Sequence, residues 1–229
     1  NGSGKIENKK ISTLDLISNF DEDEILKISI IPDSSNNKKM FLYSDRAALF
    51  IKNLSFIEGF KGGKLEFTNV YKKNSSSSEL KIIDFKLLNV PVLAKILTLA
   101  SLQGIADLLT GEGIRFNEFD MNFKTIGSKI EITDIYAIGP SISLLMEGYI
   151  EKKKTVSLKG TLVPASTLNK IISSIPLVGD VLVGSKLGEG VFGVSFKIKG
   201  PPKDLKTTVN PVKTLTPRFI IRTLEKIKE

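Results

Sequence analysis

Phe192-Gly193-Val194-Ser195-Phe196-Lys197-Ile198 alternates apolar side chains with small, polar or charged ones, so Phe192, Val194, Phe196 and Ile198 share one face of an extended chain. The same period of two runs through Lys64-Leu65-Glu66-Phe67-Thr68, Glu79-Leu80-Lys81-Ile82, Ser128-Lys129-Ile130-Glu131-Ile132-Thr133 and Thr155-Val156-Ser157-Leu158-Lys159. Each run has one face suited to an apolar interior and one suited to water. Turn chemistry separates them: Gly62-Gly63, Ser75 to Ser78, Gly127-Ser128, Gly139-Pro140 and Gly200-Pro201-Pro202. A spacing of about 8–12 residues between turns favours hairpin-connected antiparallel strands over βαβ units, and predicts roughly ten of them. The fold class is mainly β, an antiparallel meander.

Three segments break the period. Pro91 to Leu109 places Leu93, Ile96, Leu97, Ala100, Ile105 and Leu108 near helical spacing, with a proline in the first turn. Residues 166–183 carry Leu168, Ile171, Ile172 and Ile175 on one side behind a capping Ser166 or Thr167, with a break at Pro176. Residues 216–228 open with Thr216 as N-cap and Pro217 at the first helical position. This last helix separates Phe219, Ile220 and Leu224 from Arg218, Arg222 and Lys226. A repeated Gly-Glu-Gly at 111–113 and 188–190 hints at a duplicated helix–turn–strand unit.

Composition removes several chemistries. The 229 residues include no His, Cys or Trp. Thiol nucleophiles, disulfides, structural zinc sites and Ser-His-Asp triads are therefore excluded. No cofactor or metal is expected, and an enzyme is the weakest reading. The formal charge of +8 is uneven: residues 151–229 hold 15 basic and 6 acidic side chains, a net +9 against near neutrality elsewhere. A basic end favours an anionic partner such as a lipid headgroup surface or nucleic acid; it serves equally as a solubilising surface. The longest apolar run, Leu87 to Leu109, is interrupted by Asn89, Lys95, Gln103 and Asp107, too often for a membrane span. Because the first residue is Asn1, the chain is expected to be a piece of a longer one.

The nucleotide-like motifs lack their contexts. Gly188-Glu189-Gly190-Val191-Phe192-Gly193 matches G-x-G-x-x-G, but a dinucleotide site needs a strand before it and a helix after it, the reverse of the order here. A kinase loop would need a His-Arg-Asp, which a chain without histidine lacks. Gly2-Ser3-Gly4-Lys5 resembles the end of a phosphate loop, with Ile6 where Ser or Thr is required. Glu118 and Asp120 lie two apart and share a strand face, a pattern met in catalytic carboxylates and far more often in solvated charge. Nucleic acid is not an expected partner, because Phe192 and Phe196 sit among Val194 and Ile198 rather than among lysines.

From Phe85 onward the chain resembles the C-terminal region of the AsmA-like proteins, particularly the large alphaproteobacterial and YhdP-type members. The likeness rests on Asp84-Phe85 with Pro91-Val92-Leu93-Ala94-Lys95-Ile96-Leu97, on Ala137-Ile138-Gly139-Pro140-Ser141, and on Gly160-Thr161-Leu162-Val163-Pro164-Ala165. It continues through Ile175-Pro176-Leu177-Val178-Gly179, Gly188-Glu189-Gly190, Lys199-Gly200-Pro201 and Val209-Asn210-Pro211. The closing Leu215-Thr216-Pro217 is followed by Arg218 where the family usually has glycine. Upstream, Ser44-Asp45-Arg46-Ala47-Ala48-Leu49 and Phe60-Lys61-Gly62-Gly63-Lys64-Leu65 also fit.

The resemblance implies a curved, groove-like sheet with two or three amphipathic helices. Residues 1–84 would continue a longer β-groove, and residues 85–229 would form its C-terminal segment. It further implies non-enzymatic transport of phospholipid between the inner and outer membranes of a didermal bacterium, supporting outer-membrane integrity. The location implied is the periplasm, with an inner-membrane anchoring helix absent from this segment and the C-terminal end toward the outer membrane. The residues expected to line the groove are Ile130, Ile132, Val156, Leu158, Phe192, Val194, Phe196 and Ile198. Those expected at a membrane are Leu168, Ile171, Ile172, Ile175, Arg218, Arg222 and Lys226. The alternative is an envelope-assembly scaffold that contacts membrane or outer-membrane proteins without carrying lipid. The same alternation of residues also serves a sealed core.

Overall fold

The computed structural model describes residues 1–21, 24–33, 37–51, 59–165 and 193–212. Within them lie twelve strands: β1 (Gly2–Glu7), β2 (Lys10–Asp21), β3 (Glu24–Pro32), β4 (Lys38–Ser44), β5 (Gly59–Tyr71), β6 (Ser75–Leu88), β7 (Ile114–Ile126), β8 (Lys129–Ile138), β9 (Ile142–Glu151), β10 (Thr155–Pro164), β11 (Gly193–Gly200) and β12 (Lys206–Val212). They form one open, curved antiparallel sheet in which spatial order equals chain order. The spacing rule predicts about ten strands; two more appear because β1 and β2 form a hairpin in a stretch with weak apolar alternation. Its turn is carried by Asn8 and Lys9, both at positive φ (50° and 61°), the conformation that matches strand twist in a two-residue hairpin. Gly2-Ser3-Gly4-Lys5 therefore lies in a strand and not in a loop.

Helices interrupt the meander in two described places. α1 (Ala48–Ile51) is a single turn after β4. Between β6 and β7 the expected helix over 91–109 is two: α2 (Pro91–Leu99) and α3 (Gln103–Thr110). The break falls at Ser101, whose φ of 60° takes the chain out of the helical region. Leu102 N–H then bonds back to the Leu97 carbonyl, and closes the end of α2. Return to the sheet needs Gly113, because a Cβ there would lie 2.8 Å from the Leu87 carbonyl oxygen at a φ of +87°. The expected helices over 166–183 and 216–228, and the second Gly-Glu-Gly, lie outside the described residues.

The sheet curls around α2 and α3. α2 leaves from β6 yet touches β12, so the intervening strands bend far enough to bring β12 back to the helix. Leu93, Ile96, Leu97, Ala106 and Leu109 from the helices join Phe85, Phe116, Ile132, Leu162, Phe196 and Ile198 from the strands in one apolar cluster. Phe85 is at its centre, stacked on Phe60 and Phe116 at 5.1 and 5.4 Å and edge-on to Phe119 at 6.4 Å.

Beyond the helices, a polar latch ties β3, β4 and β5 together. Tyr43 Oη donates to Asp45 Oδ1 at 2.6 Å, Ile25 N–H donates to Asp45 Oδ2 at 2.9 Å, and Lys64 Nζ lies 3.6 Å from Oδ1. The Tyr43 hydrogen bond, then the Ile25 N–H, hold the Asp45 carboxyl below its ordinary range. The same bond, helped by burial, pushes the Tyr43 phenol up to about 12. A lowered carboxylate contributes stability that is present above its ordinary value of 3.8 and lost as pH falls through the folded value. A raised phenol contributes below 10.0 and loses that contribution as pH climbs toward about 12. Tyr43→Phe is expected to cost about 1–2 kcal/mol at neutral pH. In urea titrations between pH 3 and 7, it should also flatten the acid limb of the stability curve; an unchanged limb would show that Asp45 is held by other groups.

Candidate functional site

The residues of one sheet face line up across strands rather than along them. Reading partners from β2 to β12 gives the file Leu16, Ile28, Leu42, Phe67, Leu80, Met121, Ile135, Met146, Gly160, Phe196, Val209. Every member but Gly160 is apolar. A Cβ at Gly160 would lie 2.7 Å from both Met146 Cγ and Phe196 Cζ, so the missing side chain is the space these two occupy. At an inter-strand spacing of about 4.8 Å, ten steps make a path of roughly 48 Å.

A second file runs beside it: Leu26, Ser44, Leu65, Ile82, Phe119, Ala137, Leu144, Leu162, Val194. Strict alternation would place Ile132 and Ile135 on opposite faces. The register shift between them accommodates Thr133 and Asp134, and both isoleucines point inward.

All the expected groove residues within the described segments lie on this face. Ile130, Val156 and Leu158 are half-buried. Ile132 (4% exposed), Val194 (0%), Phe196 (3%) and Ile198 (6%) are buried. Ile132, Phe196 and Ile198 belong to the cluster that includes α2 and α3. Phe192 lies outside the described residues, as do the expected membrane contacts Leu168, Ile171, Ile172, Ile175, Arg218, Arg222 and Lys226. The apolar face is thus filled by helices toward β12 and more open toward β1. Leu14, Leu16, Ile28, Ile30 and Met40 on β2–β4 remain partly exposed on it. Sequence reasoning missed these five, although the alternation in Ile25-Leu26-Lys27-Ile28-Ser29-Ile30 carries the signal for β3.

Besides Ser44, a buried polar pair interrupts the apolar face. Asn69 and Ser78 face each other on β5 and β6, in a third file between Met40 and Phe123. Both are buried (7% and 6% exposed), yet Asn69 Oδ1 and Ser78 Oγ have no hydrogen-bond partner among the described residues. Unpaired polar atoms in such a place are costly to the folded protein.

The opposite face is mainly polar on β5–β7, while on β8–β10 it carries the buried Tyr136, Leu145 and Val163. Glu66, Lys81 and Asp120 follow one another across β5, β6 and β7, and Lys81 Nζ lies 3.1 Å from Glu118. Glu118 and Asp120 do share a face, within this lattice of alternating charge. Among the described residues no three metal-ligating side chains converge, and no helix is long and apolar enough to cross a membrane.

The difference in cover along the face has a measurable consequence. Phe196→Asp places a carboxylate in the filled end and is expected to destabilise by at least about 3–5 kcal/mol. Ile28→Asp, at the open end, should cost about 1–2 kcal/mol. Chemical denaturation of the two variants checks this; equal losses would mean that the face is sealed throughout. No protein-family model, curated protein or solved structure matches the chain.

Proposed function

We propose that the protein carries acyl-chain lipid, phospholipid in the first place, along the apolar face of its sheet without catalysing a reaction. The observation that carries this reading is the apolar file from Leu16 to Val209, only partly covered at its β2–β4 end. Each methylene moved from water onto such a surface gains about 0.8 kcal/mol. Equivalent apolar positions recur at every strand, so displacement by one strand exchanges one set of contacts for another and costs little. In the AsmA-like setting the cargo would pass between the two membranes of a didermal envelope, and the chain would work in the periplasm.

A second reading, an envelope-assembly scaffold, is favoured by one observation. α2 and α3 already bury the face at its β12 end, which is what a closed structural domain requires.

Native mass spectrometry and solvent extraction of the purified protein separate the two. Carriage predicts co-purified lipid, uptake of a fluorescent fatty acid, and loss of both in Ile28→Asp with the fold retained. A protein that is lipid-free, takes up no probe and is indifferent to Ile28→Asp would leave the scaffold reading.

A further inference from the structure

On β10–β12 the outer face of the sheet joins like-charge pairs to a depression. On β5–β7 one row of cross-strand partners alternates in sign, Glu66–Lys81–Asp120, and another, Lys61–Lys86–Arg115, is all basic. On β10–β12 lysine faces lysine: Lys159 is registered with Lys197, and Lys199 with Lys206. Directly opposed side chains have Cβ atoms about 5 Å apart, and like charges there repel. Lys159 is partly compensated by Glu147 at 2.9 Å. Lys197, Lys199 and Lys206 have no carboxylate within ion-pair distance among the described residues.

These four lysines border an open depression of about 770 Å³, together with the hydroxyl-bearing Tyr149, Ser157 and Thr208. One acid, Asp204, also borders it. Ammonium groups grouped with hydroxyl donors are phosphate-binding chemistry. Two successive like-charge pairs are a cost to the empty sheet that a bound anion removes.

We infer that the polar face of β10–β12 is a phosphate-group site, distinct from the apolar face and independent of whether that face carries lipid. The phosphate comes either from an anionic phospholipid headgroup at a bilayer surface or from a free phosphate compound. Base stacking has no platform here, because Tyr149 is the only aromatic in the lining.

The full 229-residue chain is tested by sedimentation with phosphatidylglycerol-containing vesicles and with pure phosphatidylcholine vesicles, and by thermal shift with inorganic phosphate. Pelleting with the anionic vesicles alone assigns the site to headgroups. A phosphate-dependent rise in melting temperature without pelleting assigns it to a soluble phosphate; either supports the site. K197E/K199E converts both repulsive pairs into attractive ones. It is expected to weaken the observed binding at least about tenfold while the melting temperature holds or rises. The charge-removing pair K199Q/K206Q should weaken binding in the same direction. K72E/K73E, an equal charge change in the β5–β6 turn, should leave it intact. Binding retained in K197E/K199E, equal loss in K72E/K73E, a fall in melting temperature in K197E/K199E, or a wild-type chain that binds neither probe would overturn the inference.

Discussion

Cross-strand register is the constraint on which the rest of the structure depends. In a sheet where each strand pairs only with its sequence neighbours, a slip of one residue turns that strand's whole apolar set to water. Eleven consecutive strands hold a register that keeps apolar opposite apolar, from Leu16 on β2 to Val209 on β12. Where simple alternation would break the file, the backbone absorbs the error. The irregularity between Ile132 and Ile135 inserts an extra residue and re-aims the strand. Gly160 does the complementary job by omitting a side chain where Phe196 and Met146 need the room.

The helices use that register unevenly. α2 and α3 cover the apolar face from β6 onward and convert it there into a core, with Leu97 and Leu109 fully buried. Toward β1 the cover thins: at α1, Ala47 and Ile51 still join the apolar cluster with Leu42 and Leu65, beside the polar Asp45 latch, while β2 and β3 are only partly covered. The molecule therefore has one end of the apolar face filled by helices and another left more open. A surface meant to receive and release an apolar guest belongs at the second kind of end, since full burial leaves no room for one.

Much of this was legible in the sequence, and the misses have physical causes. The alternation in Ser128 to Thr133, Thr155 to Lys159 and Val194 to Ile198 correctly places Ile130, Ile132, Val156, Leu158, Val194, Phe196 and Ile198 on one face. Which of them would be covered was not legible, because cover depends on α2 meeting β12, a contact between segments more than a hundred residues apart. The single helix expected from Pro91 to Leu109 ignored Ser101, a residue whose type does not announce a positive φ. The lysine pairs of β10–β12 were visible only as a net +9 in the C-terminal third. Charge counts cannot show that the lysines stand opposite one another; register can.

The strict neighbour-to-neighbour order of the sheet also bears on how the chain folds. Sheets usually fold slowly because their strands pair across long stretches of sequence, and closing those loops costs entropy before any contact repays it. Here each pairing is between consecutive strands, so the pattern resembles a linear array in which ordered structure can start at one hairpin and spread outward. The docking of α2 against β12 is a non-local step, and it needs the intervening strands to be formed and bent first. A chain built this way can lengthen or shorten by whole hairpins without rerouting the strands already in place.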